Sequence, residues 1–341
     1  MPGKKTWIAV ANVCSCLGVI ILHANGVFWS FPTGRLWYTA NFLETFFYWP
    51  VPVFFMISGA TLINYRERYS TKTFFIKRIR KTVLPFIVWS IFSVFFRYLY
   101  EGWKIDSVKD TLSGLLNAKY MPVYWFFMPL FAVYLSLPLL SAISKNIRIK
   151  VFSYVCFVSF IFTSVLPTVF SLLGLQYNST IQIPVAGGYI LYVILGYIVD
   201  NVELKRNHRF ILYLLAIIGW FIHFEGTNIL SLSKGELVST FKGYLNFPAV
   251  MQAVGIFVFF KYVKWNKIGN NFEKIIFFLS KYTFGIYLIH MYFVLSLPNL
   301  LKLNSSSFCW RTIGSVFIFA ISSVICYLIS CIPIIRRCIG V

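Results

Sequence analysis

The sequence predicts an all-α membrane protein that crosses the bilayer about ten times. Of its 341 residues, 59% are hydrophobic and only 12% are charged, whereas a soluble domain carries about 25% charged residues. Apolar runs of about 20 residues recur from end to end, which is the length that a helix needs to cross a hydrocarbon core of about 30 Å. The gaps between the runs leave no room for a soluble domain, so residues 1–341 are predicted to form a single integral membrane domain.

The predicted spans are continuous apolar runs bounded by polar or basic residues. Lys4 and Lys5 before the first run resemble the start of a signal peptide, but the run is too long and lacks a convincing cleavage site. It is therefore predicted to be the first helix. The ten predicted spans are 7–30, 38–63, 82–100, 123–143, 151–173, 184–200, 209–224, 241–263, 275–297 and 309–333.

Lysine and arginine in the short loops predict the orientation of these spans. When the N-terminus is placed in the cytoplasm, 22 of the 31 basic residues fall in cytoplasmic segments. An even number of spans returns the C-terminus to that side, where Arg336 and Arg337 agree with it. The net charge of +21 therefore reflects bilayer orientation and does not indicate a nucleic-acid partner. The expected location is the cell (cytoplasmic) membrane, and the expected partner is the lipid bilayer.

The cysteines predict neither disulfide bonds nor a metal site. Most of the seven cysteines lie within apolar segments, and the sequence contains no CxxC pair or Cys/His cluster. They are typical of small core residues.

Three ionisable residues stand out inside predicted spans, where a charged group costs about 2.5–3.5 kcal/mol on insertion scales. His23 precedes Trp29 by six residues, and Glu44 follows Tyr38 by six. At 1.5 Å per residue, both lie about 9 Å below the outer edge of the membrane, and His290 lies about 12 Å below it. The three side chains are therefore predicted to share one layer and to be catalytic. The alternative is structural, because a membrane histidine is often a neutral hydrogen-bonded residue, and Glu44 in turn could only fix the tautomer of the ring.

One face of the first span is small and polar. Asn12, Cys16, Val19, His23 and Gly26 follow helical spacing and stack on one side. Such a stripe suits either a helix–helix contact or a cavity wall. Asn25 points away from this face.

A basic run, KTFFIKRIRK, lies at the cytoplasmic start of the third span. Attraction to anionic lipid, about 1 kcal/mol per basic residue, explains such a run on charge alone. The same run would also suit a polyphosphate ligand, because arginine binds phosphate with two parallel hydrogen bonds. The predicted cofactor-binding residues are Lys72, Lys77, Arg78, Arg80 and Lys81.

Five segments in unbroken order resemble the membrane acyltransferases of family 3. VPVFFMISGATL (51–62) is similar to the family's "VPLFFMISGYLL" segment. The other four are RIRKTVLPFIVWS (78–90), similar to a basic stretch ending in "PYLxWS"; YWFFMPLFAVYLSLPLL (124–140), similar to "LWFLxxLIxLYLxxPLL"; GYILYVILGYIV (188–199), similar to "YFLLGYYL"; and LSKYTFGIYLIHMYF (279–293), similar to "ISxxSLGIYLIHPLI".

The resemblance implies a multi-spanning bacterial O-acyltransferase, most simply an O-acetyltransferase that uses acetyl-CoA and modifies surface or secreted glycans. His23 matches the essential histidine of the family's first span. The arginine that the family carries eleven positions earlier falls on Asn12, so the chain departs from the pattern there. Glu44, which does not match the pattern, is a candidate to orient His23 in place of that arginine.

O-acyl transfer needs a hydroxyl nucleophile, a base for its proton and hydrogen-bond donors for the developing oxyanion. A histidine suits the role of base. Asn12, Asn25, Ser58 and Tyr287 are alternative donors between which the sequence does not choose, and Trp125 joins them as a predicted substrate-binding residue.

Two other functions fit the same residues. A glycan or small-solute transporter or flippase would use membrane histidine and glutamate as a proton relay, although the sequence shows no convincing inverted repeat. A non-catalytic assembly protein is the other alternative, and the missing arginine keeps it open.

Overall fold

The computed structural model describes residues 5–104, 107–178, 180–181 and 187–341. The chain is 80% helical, and the described residues contain no strand. Eight helical segments are long and apolar enough to cross a membrane, and the shorter apolar helices Ile190–Asn201 and Phe247–Tyr262 bring the described set to ten. Each corresponds to one predicted span, which confirms the all-α, multi-span prediction. Lys4 and residues 184–186 of the predicted sixth span lie outside the described residues.

The helices are numbered here in chain order. They are α1 (Thr6–Ala24), α2 (Gly34–Phe46), α3 (Pro50–Leu62), α4 (Thr71–Arg78), α5 (Leu84–Glu101), α6 (Val108–Leu116), α7 (Phe127–Ala142), α8 (Lys145–Ser159), α9 (Leu166–Leu172), α10 (Ile190–Asn201), α11 (Arg206–Lys234), α12 (Phe247–Tyr262), α13 (Asn270–Leu300) and α14 (Ser315–Cys331).

The second predicted span is two helices. The break lies between Phe46 and Pro50. Pro50 and Pro52 have no backbone N–H to continue the helix before them, but proline fits the first turn of a new one. As a result, Glu44 lies near the end of α2, and the VPVFFMISGATL segment forms α3.

The basic run forms a helix of its own before the third span. Ser70 caps α4, and its hydroxyl accepts a hydrogen bond of 3.3 Å from the backbone N–H of Thr73. A π-helical turn, Ile79–Val83, then joins α4 to α5.

The helix pair α11–α12 differs from the prediction at its connection. α11 runs to Lys234, beyond the predicted end at residue 224, because its buried face continues through Thr227 and Ser231. α12 begins at Phe247 with Pro248 in its first turn, so residues 235–246 form a loop instead of the start of the eighth span.

The central contacts of the bundle hold α1 between α13 and α3, with α10 packed behind α3. At Gly59 a Cβ atom would lie 1.8 Å from the backbone oxygen of Val193, and at Gly196 one would lie 2.0 Å from that of Met56. Only glycine permits this approach of the α3 and α10 backbones. α3 is thereby held tightly against α10, and its other side contacts α1.

The bundle has a basic end and a histidine end. The basic end contains the starts of α1 and α13 and the end of α3, and the histidine end contains the ends of α1 and α13 and the start of α2. Lys5 and Val341 line one cavity at the basic end, so the first and last described residues lie at the same end. An even number of crossings requires this arrangement. That the basic end faces the cytoplasm is still a prediction.

Candidate active site

Two of the three predicted catalytic residues meet in the structure. His23 lies in the last turn of α1 and His290 in α13, and the distance between Nδ1 of His23 and Nε2 of His290 is 2.7 Å. The two rings lie edge to edge in nearly the same plane, with centroids 5.0 Å apart and planes 13° apart. His290 is fully buried, and His23 is half-buried. The pair joins the first span to the ninth.

The hydrogen bonds around the pair determine its tautomers. Nδ1 of His290 lies 2.7 Å from the backbone oxygen of Tyr287 and 3.2 Å from that of Ile286. A carbonyl only accepts, so Nδ1 of His290 carries the proton, and in the neutral ring Nε2 is an acceptor. Nδ1 of His23 then donates to that acceptor. Nε2 of His23 keeps its lone pair and has no hydrogen-bond partner among the described residues, which is the arrangement that a general base requires.

A cavity of about 150 Å³ approaches this pair from the middle of the bundle. Its wall includes Tyr287, whose ring centroid lies 5.6 Å from that of His290. Three predicted substrate-binding residues, Asn12, Ser58 and Tyr287, line it together with mostly apolar side chains. Asn12, at the start of the stripe on α1, both lines this central cavity and contacts α13.

A second cavity of about 460 Å³ opens at the basic end. Lys5, Lys81 and Lys281 line it, as do Thr61 of α3 and Ser280 of α13. Each of α1, α3 and α13 contributes to this basic cavity and, one turn further along, to the central cavity. From Asn12 to His23 the helix α1 then rises about 16 Å. The two cavities and the histidine pair therefore follow one another along the same helices.

Glu44 has a different partner from the predicted one. Its carboxylate lies 2.5 Å from Nζ of Lys242, and the side chains are only 5% and 2% exposed, respectively. Among the described residues Glu44 makes no hydrogen bond to His23, so the predicted orientation of His23 by Glu44 is not observed. His290 holds the His23 ring instead. Counting residues gives the depth of a side chain but not the direction in which it points, which is why the prediction placed Glu44 on His23.

Lys242 lies in the loop 235–246, outside the membrane-spanning segments. Besides Glu44, three aromatic rings surround its ammonium, with centroids 4.4–5.0 Å away: Phe28, Trp29 and Tyr48. Burial lowers the pKa of Lys242, and the Glu44 carboxylate opposes this shift. No role was predicted for Lys242, which lies at the start of the predicted eighth span, 241–263.

A buried polar chain extends from Glu44 toward α14. The Asn25 amide donates to the backbone oxygen of Ala40 at 2.9 Å and faces Oε2 of Glu44 at 3.4 Å. Its oxygen accepts a 2.9 Å hydrogen bond from Nη1 of Arg311. Arg311 also lies inside a predicted span, 309–333, so the rule that singled out His23 and Glu44 applied to it equally. The sequence analysis missed it.

The four predicted oxyanion donors all have partners within the protein. The amides of Asn12 and Asn25 donate to α13 and to α2, respectively, the Ser58 hydroxyl donates to the oxygen of Phe54, and the Tyr287 hydroxyl donates to the oxygen of Val123 at 2.5 Å. Asn12, where the family pattern has arginine, links α1 to α13 through a hydrogen bond of 2.7 Å to Thr283. In this state none of the four has a hydrogen free for an oxyanion.

Trp125 lies on a short segment, Pro122–Phe126, that is attached beside His290. Tyr287 donates to Val123 of this segment, and the Tyr124 hydroxyl donates to the oxygen of Leu288 at 2.7 Å. The Trp125 ring stacks on Tyr244 with centroids 5.6 Å apart. The segment that carries Trp125 is thus attached to α13 within one turn of His290.

The predicted cofactor-binding run divides between two locations. Lys81 lines the basic cavity, and the guanidinium of Arg78 lies 5.6 Å from the ring of Tyr134, which lines the central cavity. Lys72, Lys77 and Arg80 are exposed and line neither cavity. Lys5 and Lys281, which the sequence had counted only toward orientation, line the basic cavity together with Lys81.

Comparison with known protein families decides the class of this protein. The sequence profile of the family-3 acyltransferase domain matches residues 5–332. The chain belongs to this family. It is a multi-pass membrane acyltransferase, as the resemblance implied. No curated protein and no solved structure gives a significant match to the chain.

Proposed function

We propose that this acyltransferase moves an acyl group, most simply acetyl, from acyl-CoA to a hydroxyl of a sugar or glycan, with His23 as the general base. The observation that carries the proposal is the His23–His290 pair. Its hydrogen bonds leave the lone pair of Nε2 on His23 free, and His23 lies beyond the basic and central cavities along α1. General base catalysis needs such a lone pair within reach of a hydroxyl.

The donor enters, in this proposal, from the basic end. Lys5, Lys81 and Lys281 would bind the phosphates of CoA, and the narrower central cavity would hold the arm that carries the thioester. Because acyl-CoA is a cytoplasmic metabolite, the proposal requires the basic end to face the cytoplasm, as the distribution of lysine and arginine predicts.

The chemical step uses the two histidines in series. The acceptor hydroxyl gives its proton to Nε2 of His23 while its oxygen attacks the thioester carbonyl. The C–S bond then breaks, the ester forms, and His23 returns the proton to the CoA thiolate. The positive charge that His23 holds in between is stabilised by its Nδ1–H donating to the neutral His290, much as a carboxylate supports the histidine of a serine protease triad.

The acceptor would approach from the histidine end. His23 is half-buried there, whereas His290 is closed off behind it. Trp125 lies on the segment attached to α13 near this pair, and the face of its ring opposite Tyr244 would offer a surface on which a sugar ring can stack.

The test is acyl transfer by the purified full-length protein, given labelled acetyl-CoA and a sugar acceptor. We expect labelled ester, and His23→Ala should lower its rate of formation at least about 100-fold, the usual contribution of a general base. His208→Ala, which changes an exposed histidine at the start of α11, is the matched control and should retain full activity. Equal activity in His23→Ala and His208→Ala would overturn the proposal.

A proton-coupled transporter is a second candidate, favoured by the buried Glu44–Lys242 pair. Charged groups inside a membrane are typical of proton pathways. In proteoliposomes this function predicts flux of the sugar without formation of ester, whereas the acyltransferase predicts ester.

A further inference from the structure

A third cavity, of about 370 Å³, lies at the histidine end between the start of α2 and the turn that leads into α14. It shares no residue with the basic or the central cavity. Its polar and aromatic lining consists of Arg35, Thr39, Ser306, Ser307, Phe308 and Arg311.

Arg311 is a buried cation without a carboxylate partner in this cavity. It is 1% exposed, and its Nη1 and Nη2 donate to the side-chain oxygens of Asn25 and Thr39, both at 2.9 Å. Its Nε has no hydrogen-bond partner. Within the described part of the chain, no carboxylate lies within 4.0 Å of the Arg311 guanidinium. The carboxylate of Glu44 is paired with Lys242 instead. A buried charge without a counter-ion is costly, so the site favours an anion.

The rest of the cavity adds positive potential and hydroxyl groups. Arg35, in the first turn of α2, lines the same cavity as Arg311, and the N-terminal end of a helix carries a partial positive charge. Ser306 and Ser307 line the opposite side, and no acidic residue is part of the lining. Two guanidinium groups beside hydroxyl groups are suited to phosphate or carboxylate oxygens.

We propose that this cavity binds an anionic group, a phosphate or a carboxylate, of the acceptor. The acceptor is therefore an acidic glycan or a sugar linked to a lipid phosphate, and this inference rests on the proposed function. Arg311 hydrogen-bonds to Asn25, which follows His23 by two residues, so this cavity and the base lie at the same end of α1. Phe308, 53% exposed at the rim, gives the cavity an apolar edge at which a lipid chain can lie.

The test measures binding in the absence of acyl-CoA, so its outcome is independent of whether transfer occurs. The full-length protein in phosphatidylcholine nanodiscs is titrated with two matched probe pairs: undecaprenyl phosphate against undecaprenol, and a glucuronic acid-containing oligosaccharide against its glucose counterpart. We expect one anionic probe to bind at least about tenfold more tightly than its neutral partner, with the difference shrinking as salt rises. Which pair shows the difference identifies the source of the anion.

Variants connect that difference to the cavity. Arg35→Gln should weaken binding of the anionic probe about fivefold, and Arg311→Gln should weaken it more. Lys302→Gln, which removes an exposed charge from the nearby loop, is the control and should change nothing. If Arg311→Gln fails to fold, Arg311→Lys keeps the charge and tests the geometry.

Three results would overturn the proposal. The first is equal binding of charged and neutral probes in both pairs. The second is a loss in Lys302→Gln as large as that in Arg35→Gln. The third is complete competition by phosphatidylglycerol at the same concentration, which would make the cavity an ordinary contact with anionic lipid headgroups.

Discussion

The two ends of the bundle handle charge in opposite ways. At the basic end, Lys81 and Lys281 line an open cavity and have no carboxylate partner among the described residues. At the histidine end, the charged groups of Glu44, Lys242 and Arg311 are buried and hydrogen-bonded to one another or to Asn25. Exposed lysines can adapt to a flexible ligand, whereas buried groups keep one geometry. This difference suits a bundle that binds a soluble donor at one end and carries out chemistry at the other.

The first way to test this contrast is to break the buried pair. Lys242→Met leaves the Glu44 carboxylate buried without a counter-charge, which should destabilise the protein by about 3–5 kcal/mol. Reversible unfolding of the purified protein in detergent measures the change. The double variant Glu44→Gln with Lys242→Met should recover most of the loss, because it removes both charges.

Lys145→Met is the matched control for that experiment. Lys145 pairs with Glu67 at 2.9 Å, but both side chains are largely exposed. Surface pairs contribute about 0–1 kcal/mol, so the change in stability should be small. A similar loss in both lysine variants would mean that burial does not distinguish the two pairs.

The second test concerns the partner of the base. His290→Ala removes the acceptor that fixes the His23 tautomer, and kcat for acyl transfer should fall about 10–100-fold with little change in KM for acetyl-CoA. His290→Gln should restore part of kcat, since its amide oxygen can accept from Nδ1 of His23. A rise in KM together with the fall in kcat, without rescue by glutamine, would point to a purely structural role for His290.

The smallest effect is expected at the basic end. Lys81→Gln and Lys281→Gln should each raise KM for acetyl-CoA about two- to fivefold at low salt, with kcat unchanged, because exposed charges are screened and contribute little individually. Lys274→Gln changes an exposed lysine on α13 that does not line the cavity, and it serves as control. If it raises KM equally, general surface charge explains the effect.

Hydropathy alone was sufficient to predict the spans and the layer of the histidines. Each of the ten apolar runs corresponds to one observed helical segment. Unpaired backbone N–H and C=O groups are costly in hydrocarbon, so a long apolar run in a membrane folds as a helix. Counting residues from the outer ends of the spans also placed His23 and His290 at similar depths, and the structure pairs them.

The contacts within that layer could not be predicted in the same way. Glu44 was expected on His23, but α2 turns it toward Lys242, a residue on a loop that the sequence had assigned to a helix. The direction of a side chain around its helix depends on packing between spans that are distant in sequence, such as the contact of α3 with α10 at Gly59. Arg311 is a different case, since its position inside a predicted span was itself a sufficient signal.

The separation of His23 and His290 by 267 positions in sequence has a consequence for biosynthesis. The first histidine enters the membrane while most of the chain has yet to be translated, and its partner arrives only with the ninth crossing. Until then the imidazole of His23 lacks the acceptor that fixes its proton. Under the proposed function, acyl transfer therefore reaches its full rate only after the first and ninth crossings have come together.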